Sequence, residues 1–364
     1  MSTRGDTVLV LDRDPAVRED LRQAWRTARR FLRLQREHPL WLRRQAIADR
    51  LLALEWVLLI AVTYALVFGP LPWPLKLLLL IPWSLYSSLA LDVAVHYFNH
   101  WPPFRREGGN VALRALGVLV FFSPLEVRYH HWQHHRYNDP FDDPQTALQE
   151  IARRPGWRSW AALGRYLGRE TLRSVWGFLP WSEKPPYIES LKISKPAHYR
   201  EIVATRWAGP CWLVALLVWR PVETALFLVP ATLLVAPLAS FIMNLTDHAP
   251  SDLTHPFRQA TWLEPRTRME RLISFVNHQT AATHLTHHLF PQVHWIHMRR
   301  LQRRMGRLYV RYGAPRSMVL NTTLLGNPVA LARVLGGLKR VRPVGETWDQ
   351  AGLSQSPVRV NGLG

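Results

Sequence analysis

Apolar residues fall along this chain in long runs. Residues 51–69 (LLALEWVLLIAVTYALVFG) stay apolar for close to the roughly 20 residues that a helix needs to cross a hydrocarbon layer. Prolines at 70, 72 and 74 make a tight exit, and residues 75–95 form a second run. Two runs joined by a short turn predict a membrane hairpin whose outer ends face the same side, with Lys76 near the turn able to stretch toward the interface. A second hairpin is predicted from residues 207–219 and 224–243, turning at Arg220 and Pro221; its second run carries no charge over 20 residues. Residues 111–125 (VALRALGVLVFFSPL), with Arg114 inside, are short for a span and suit an interfacial or re-entrant helix. The expected fold is all-α: a polytopic membrane bundle of four transmembrane helices in two hairpins. Residues 136–206 and 251–345 are polar enough to form a cytoplasmic helical cap.

The division expected on this pattern is a basic amphipathic arm (1–50), a membrane domain with its cap (51–310) and a C-terminal cytoplasmic tail (311–364). The arm holds 12 Arg and 7 acidic residues with Trp25, Phe31, Leu32, Leu34, Leu40 and Trp41 among them, a composition that suits one or two helices lying on a membrane surface. It has neither the apolar core nor the small-residue cleavage site of a signal peptide.

Charge sharpens the topology more than the chemistry. The 364 residues carry a formal charge of +20, and the basic residues flank the apolar runs while the two hairpin turns have few. The outer ends of both hairpins are therefore assigned to the cytoplasm. A mean hydropathy of −0.10 hides this bunching. No zinc-finger spacing and no RNP-like aromatic segment suggests a nucleic-acid partner. The single cysteine, Cys211, excludes a disulfide framework and a cysteine-rich metal site.

Histidine carries the candidate chemistry. Of 16 His, six lie between 96 and 135 and eight between 248 and 297. His96 and His100 stand in HYFNH, His131, His134 and His135 in HWQHH, and His284, His287 and His288 in HLTHH. Positions i, i+3 and i+4 share one face of a helix, so each box presents two or three imidazoles to one point. Imidazole suits iron, zinc, copper or nickel. Eight convergent imidazoles exceed what one four-coordinate ion takes and fit two. They meet only if residues 111–125 do not carry the second box across the membrane.

The order HxxxH, HxxHH, HxxHH, the last followed by Leu289-Phe290-Pro291, resembles the membrane fatty acid desaturase family, as does HWQHHRYNDPFDDP. The resemblance covers roughly residues 50–310. It implies two iron ions held by nine histidines: His96, His100, His131, His134, His135, His248, His284, His287 and His288. It also implies a water-mediated metal contact from Asn244, one turn before His248. Asp92 and Asp247 are the preferred hydrogen-bond partners for ligand imidazoles, because a carboxylate at a membrane-helix end is costly unless paired. Phe98, Trp101, Trp132, Phe275, Phe290 and Trp295 are candidates to line an acyl tunnel. The opening TVLVLDRDPAVREDL resembles the first strand and helix of a receiver domain, with Asp12 and Asp14 in the acidic places, but the rest of such a domain is absent.

The resemblance implies an O2-dependent di-iron fatty acid desaturase acting on an acyl-lipid or acyl-CoA. It would sit in a membrane, by its arginine-rich composition a bacterial cytoplasmic one, with the histidine site on the cytoplasmic face. Hydroxylation or ketolation of a lipid, sterol or carotenoid uses the same kind of centre and is the alternative. A non-catalytic histidine-rich metal transporter is a distant one. No haem-binding HPGG segment and no GxGxxG is fused, so a separate electron donor is expected, either ferredoxin-like or a b-type cytochrome with its reductase.

Overall fold

The protein is described from a computed structural model that covers residues 14–137, 179–235, 255–265, 268–276 and 280–315. Isolated positions between them are also described (158, 161, 162, 164, 165, 168, 169, 172, 247 and 278). The described chain is helical, with a lone bridge residue at Trp262. The proposed tail beyond residue 315 and most of the cap segment 138–178 lie outside the described residues.

Helix α1 (Pro15–Glu37) begins at Asp14, whose carboxylate accepts hydrogen bonds from the Ala16 and Val17 amides at 2.9 and 3.2 Å. Asp14 is thus a helix cap, the usual use of an aspartate just before an amphipathic run. Part of the apolar face of α1 packs on the rest of the protein. Val17, Ala24 and Ala28 are buried against Phe257, Leu285, Phe290, Met298 and Leu301. The arm is amphipathic as expected, but part of its apolar stripe is covered by protein.

Helix α2 (Pro39–Phe68) runs without a break from the arm into the first apolar segment, and α3 (Trp73–His100) returns alongside it. Among the described residues, α2 and α6 (Pro196–Trp219) are long and apolar enough to cross a membrane. Helix α6 starts eleven residues before the apolar stretch at 207 because Pro196 and the polar turn that follows are already helical. After Arg220 a short α-helical turn (Pro221–Glu223) leads into wide π-type turns from Thr224 to Val235, and the rest of the fourth apolar run lies outside the described residues.

Leucines 51, 54 and 58 on α2 point outward, while Leu52, Trp56 and Ile60 pack inward against Ala94, Val95 and Tyr97 of α3. Lipid tails give such helices no hydrophobic reason to associate, so polar contacts and close packing must hold them. Trp83 donates to the Thr63 hydroxyl at 2.9 Å, and Tyr86 donates to Glu55 at 3.1 Å. Lys76 does not reach for the interface. Its ammonium is buried and donates to the Val67 carbonyl at 2.6 Å, capping the end of α2 where carbonyls lack partners.

Helix α4 (Glu107–Ala115) and the 3-10 turn 116–120 lead into α5 (Pro124–Tyr137), and the two arms are bent by 99°. Phe121 takes the left-handed conformation (φ 57°), and the Phe122 amide donates to the Gly117 carbonyl at 2.8 Å, a Schellman-type ending. A Cβ on Gly117 would lie 2.5 Å from the Phe122 carbonyl oxygen, so only glycine allows this close approach. The bend is tied down by the Tyr64 hydroxyl, which donates to the Leu119 carbonyl and accepts from Trp212, both at 2.7 Å. Arg114, the charge inside this run, is answered by Glu201 of α6 at 2.6 and 2.8 Å and by Glu107 at 2.8 Å. The start of α5 is fixed by a buried pair between Glu126 and Arg206 of α6, with Arg206 also donating to Ser182 Oγ at 2.8 Å.

Short helical turns at Pro186–Glu189 and Leu191–Ser194 precede α6, and the longer helices after residue 265 are α7 (Arg268–Val276), α8 (Thr280–Leu289) and α9 (Trp295–Arg311). One side of α8 is held by the segment before α7. Leu285 donates to the Thr261 carbonyl at 2.9 Å, and Leu263 donates to the Ala282 carbonyl at 3.0 Å. The other side meets α9 through Thr286, whose hydroxyl lies 2.9 Å from the Tyr309 hydroxyl and 3.2 Å from Gln302 Oε1.

Candidate metal centre

The three boxes sit on the end of α3, on α5 and on α8, and these three ends meet. His96, His100, His131, His135 and His287 each offer a ring nitrogen, and these nitrogens all lie within 4.8 Å of one another. The Nε2 atoms form a chain of short contacts: His96 to His287 at 2.8 Å, His287 to His135 at 2.8 Å, His135 to His131 at 2.8 Å and His131 to His100 at 2.9 Å. Since His100 and His131 touch, the segment between them leaves and returns to one place, which is what a re-entrant bend does and a full crossing does not.

Hydrogen bonding does not account for this cluster. A neutral Nε2 has one proton or one lone pair, so it satisfies one neighbour. His287, His135 and His131 each face two neighbours with that single atom. A cation accepts several lone pairs converging on one point, and nitrogens bound at about 2.1 Å to one ion stand roughly 3 Å apart. The donor set therefore fits a borderline transition metal. Protonation is opposed in the same place. Burial, then the Arg128 charge, hold His100 down to about 3, and burial followed by the surrounding imidazoles holds His287 well below its ordinary value. Neutral imidazole is the form that binds metal.

His284 and His288 form a second pair beside the five, with Nε2 atoms 3.0 Å apart and the His288 ring 4.6 Å from that of His135. The Nδ1 of His284 lies 3.6 Å from the Asp247 carboxylate, with both side chains almost fully buried. The Thr261 amide donates to the Asp247 carbonyl at 2.8 Å, so the segment that backs α8 also holds this acid. The acid lies on the side of the His284 ring opposite its Nε2, which faces His288. The side chains of His134 and Asp92, and His248 and Asn244 altogether, lie outside the described residues.

Several features around the centre have no sequence-level signal. His294, buried at 2 % exposure, sits 3.1 Å from both Asp49 oxygens, and the Trp295 indole donates to the same carboxylate at 3.2 Å. His278 pairs with Glu55 at 2.7 Å, and its carbonyl accepts from Tyr97 at 2.9 Å. His198 is half-buried and meets the Tyr129 hydroxyl at 2.6 Å. Of the tunnel candidates, Phe290 is wholly buried against Trp25 of α1 and Phe275 is 74 % exposed.

Residues 70–319 match the family model described as fatty acid desaturase. The match spans more than half of the chain and takes in all three boxes. The chain belongs to the fatty acid desaturase family. No curated protein and no solved structure matches it significantly. Membership of the desaturase family implies an oxidoreductase, and the converging imidazoles are the place where such chemistry is possible.

Proposed function

We propose that this chain is an O2-dependent di-iron desaturase that introduces a double bond into a membrane-embedded acyl chain, as an acyl-lipid or acyl-CoA. The observation that carries the reading is the meeting of five imidazole nitrogens from three boxes within 4.8 Å, in a chain of the desaturase family. The adjoining His284–His288 pair supports a second ion. His134 and His248 complete the proposed nine ligands, with Asn244 acting through water and Asp92 and Asp247 orienting imidazoles.

Two irons held there would supply, with O2, the oxidant that an unactivated C–H bond requires. The overall reaction takes one –CH2–CH2– unit, O2, two electrons and two protons to one –CH=CH– unit and two waters. The chain's residues do the rest. Asp247, 3.6 Å from His284 Nδ1, is the acid that would orient this ring and leave Nε2 for metal. Burial keeps His100 and His287 in the neutral form that a metal ion needs. Glu126 and Arg206 fix the start of the helix that carries the second box. The apolar outer faces of α2 and α6 would place the site beside the bilayer from which the acyl chain enters, with the imidazoles on the cytoplasmic side.

The test combines metal analysis with fatty acid profiling in a host of simple lipid composition. The expected result is about two irons per chain and a new unsaturated fatty acid. His287→Ala should lose iron and product while still inserting in the membrane. One zinc per chain, or a hydroxylated product without a double bond, would overturn the assignment.

A further inference from the structure

The N-terminal arm builds a surface that the metal centre itself does not need. Helix α1, the first turn of α2 and α9 enclose a groove of about 1150 Å³. Its floor is apolar, with Phe31 and Trp41 in ring contact at 5.8 Å. Its walls carry Arg30, Arg300, Arg303 and Arg304, all exposed, and no carboxylate among the described residues pairs with any of them. The acid that lines the groove, Glu19, is engaged by Arg26 and Arg22. Four guanidinium groups around an aromatic floor, without a carboxylate partner among the described residues, are complementary to an acidic surface and would steer it in.

A second, independent feature says what kind of acidic surface. From Trp41 a column of rings runs inward. Trp41 stacks on His297 with centroids 3.8 Å apart and planes at 22°. His297 lies 6.1 Å from His294, His294 lies 5.1 Å from Trp101, and Trp101 lies 5.2 Å from His100. His100 is one of the five converging imidazoles. The column is braced on both sides. Gln45 Nε2 lies 3.2 Å from His297 Nε2, Gln35 accepts from the His294 amide at 2.8 Å, and Asp49 holds the His294 ring. Electron tunnelling falls steeply with distance through saturated groups, and a continuous line of π systems shortens every gap. A lipid headgroup would satisfy the arginines and leave this column without a purpose.

We infer that the groove over Trp41 is the docking site of an acidic one-electron carrier protein, and that Trp41, His297, His294 and Trp101 carry its electrons to the metal ligand His100. The inference rests on the proposed desaturase reaction, which needs two electrons from outside. Each docked carrier is oxidised by one electron and the centre is reduced by one, so two encounters supply one turnover. The four rings are positioning residues for electron delivery; the arginines bind.

The test uses the full chain with its iron, in phosphatidylcholine nanodiscs. Two acidic probes are used, a plant-type [2Fe–2S] ferredoxin and the soluble haem domain of a b-type cytochrome. The expected result is salt-sensitive binding of at least one probe. In the quadruple variant R30Q/R300Q/R303Q/R304Q the Kd should rise at least tenfold. Trp41→Leu should leave Kd within about twofold but slow reoxidation of the reduced probe at least tenfold in stopped flow. Both variants should keep wild-type product formation when methyl viologen supplies electrons directly. Binding of both probes unchanged by the arginine substitutions overturns the docking site, as does a quadruple variant that loses affinity only for phosphatidylglycerol vesicles. Reoxidation unchanged by Trp41→Leu overturns the relay. Both of these failures leave the desaturase assignment standing, whereas a wild-type protein without product under methyl viologen overturns that assignment and this inference with it.

Discussion

His287 illustrates how little one imidazole means alone. Its Nε2 faces His96 and His135 at once, from helices nearly 200 and 150 positions away in sequence. The i, i+3, i+4 spacing within each box was legible because it is a local property of a helix. The Asp49–His294 pair was not, because its partners stand 245 positions apart and neither belongs to a motif. His297 is a similar case, and it carries a pH dependence. Burial, then His294, Arg300 and Arg44, hold it down to about 3. In an unfolded chain an imidazole titrates near 6.5, so between those values the unfolded state binds the extra proton. Stability contributed by this group is complete above about 6.5 and falls as pH drops toward 3, at no more than about 1.4 kcal/mol per pH unit. The Tm in detergent should therefore decrease between about pH 7 and pH 5, and His297→Gln should show a shallower decrease. Equal slopes in the two proteins would mean that other groups set the acid limit.

Among the elements, the bent segment 107–137 decides whether a site exists at all. Its sequence announced a short apolar run with a charge inside, and the limit on span length excluded a simple crossing. The sharpness of the bend was hidden, since it depends on Gly117 lying against Phe122 and Pro124 and on a left-handed phenylalanine that no propensity favours. Gly117→Ala forces its Cβ to 2.5 Å from a backbone oxygen and 2.7 Å from Pro124 Cδ, so the turn must open. The expected cost is about 1–3 kcal/mol. His131 and His135, a few turns on, would shift with it, and iron per chain should fall together with Tm. Gly306→Ala in α9 is the control, because an added methyl there meets nothing within 4 Å. Replacing a helical glycine in open space should be neutral or stabilising by up to about 1 kcal/mol. If the two variants matched in iron content, the bend would not be what positions the second box.

At the scale of the whole molecule, apolar helices alone do not close this site. The hydrophobic pattern announced α2 and α6 because a membrane span is a long local signal, while the use of the arm is a property of the assembled chain. A basic amphipathic stretch reads the same whether lipid or protein covers its apolar face. Here Val17, Ala24 and Ala28 are covered by the helices that carry and brace the third box, and Trp25 packs on Phe290 at the end of that box with centroids 5.1 Å apart. Arg311 and Tyr312, at the far end of α9, reach back to Asp20 at 2.5 and 2.7 Å. The arm is therefore a wall of the metal-binding half. Deleting residues 1–37 would uncover those apolar side chains and free one side of α8 and α9. The truncated chain should still insert, because the apolar runs that follow remain, yet it should lose at least half of its iron and become sensitive to proteolysis between residues 255 and 315. A milder substitution, Ala28→Asp, places a charge at a position with no exposure and should reproduce the loss in part. Wild-type iron content in both variants would mean that the site is complete without the arm, leaving α1 with the surface of the groove as its contribution.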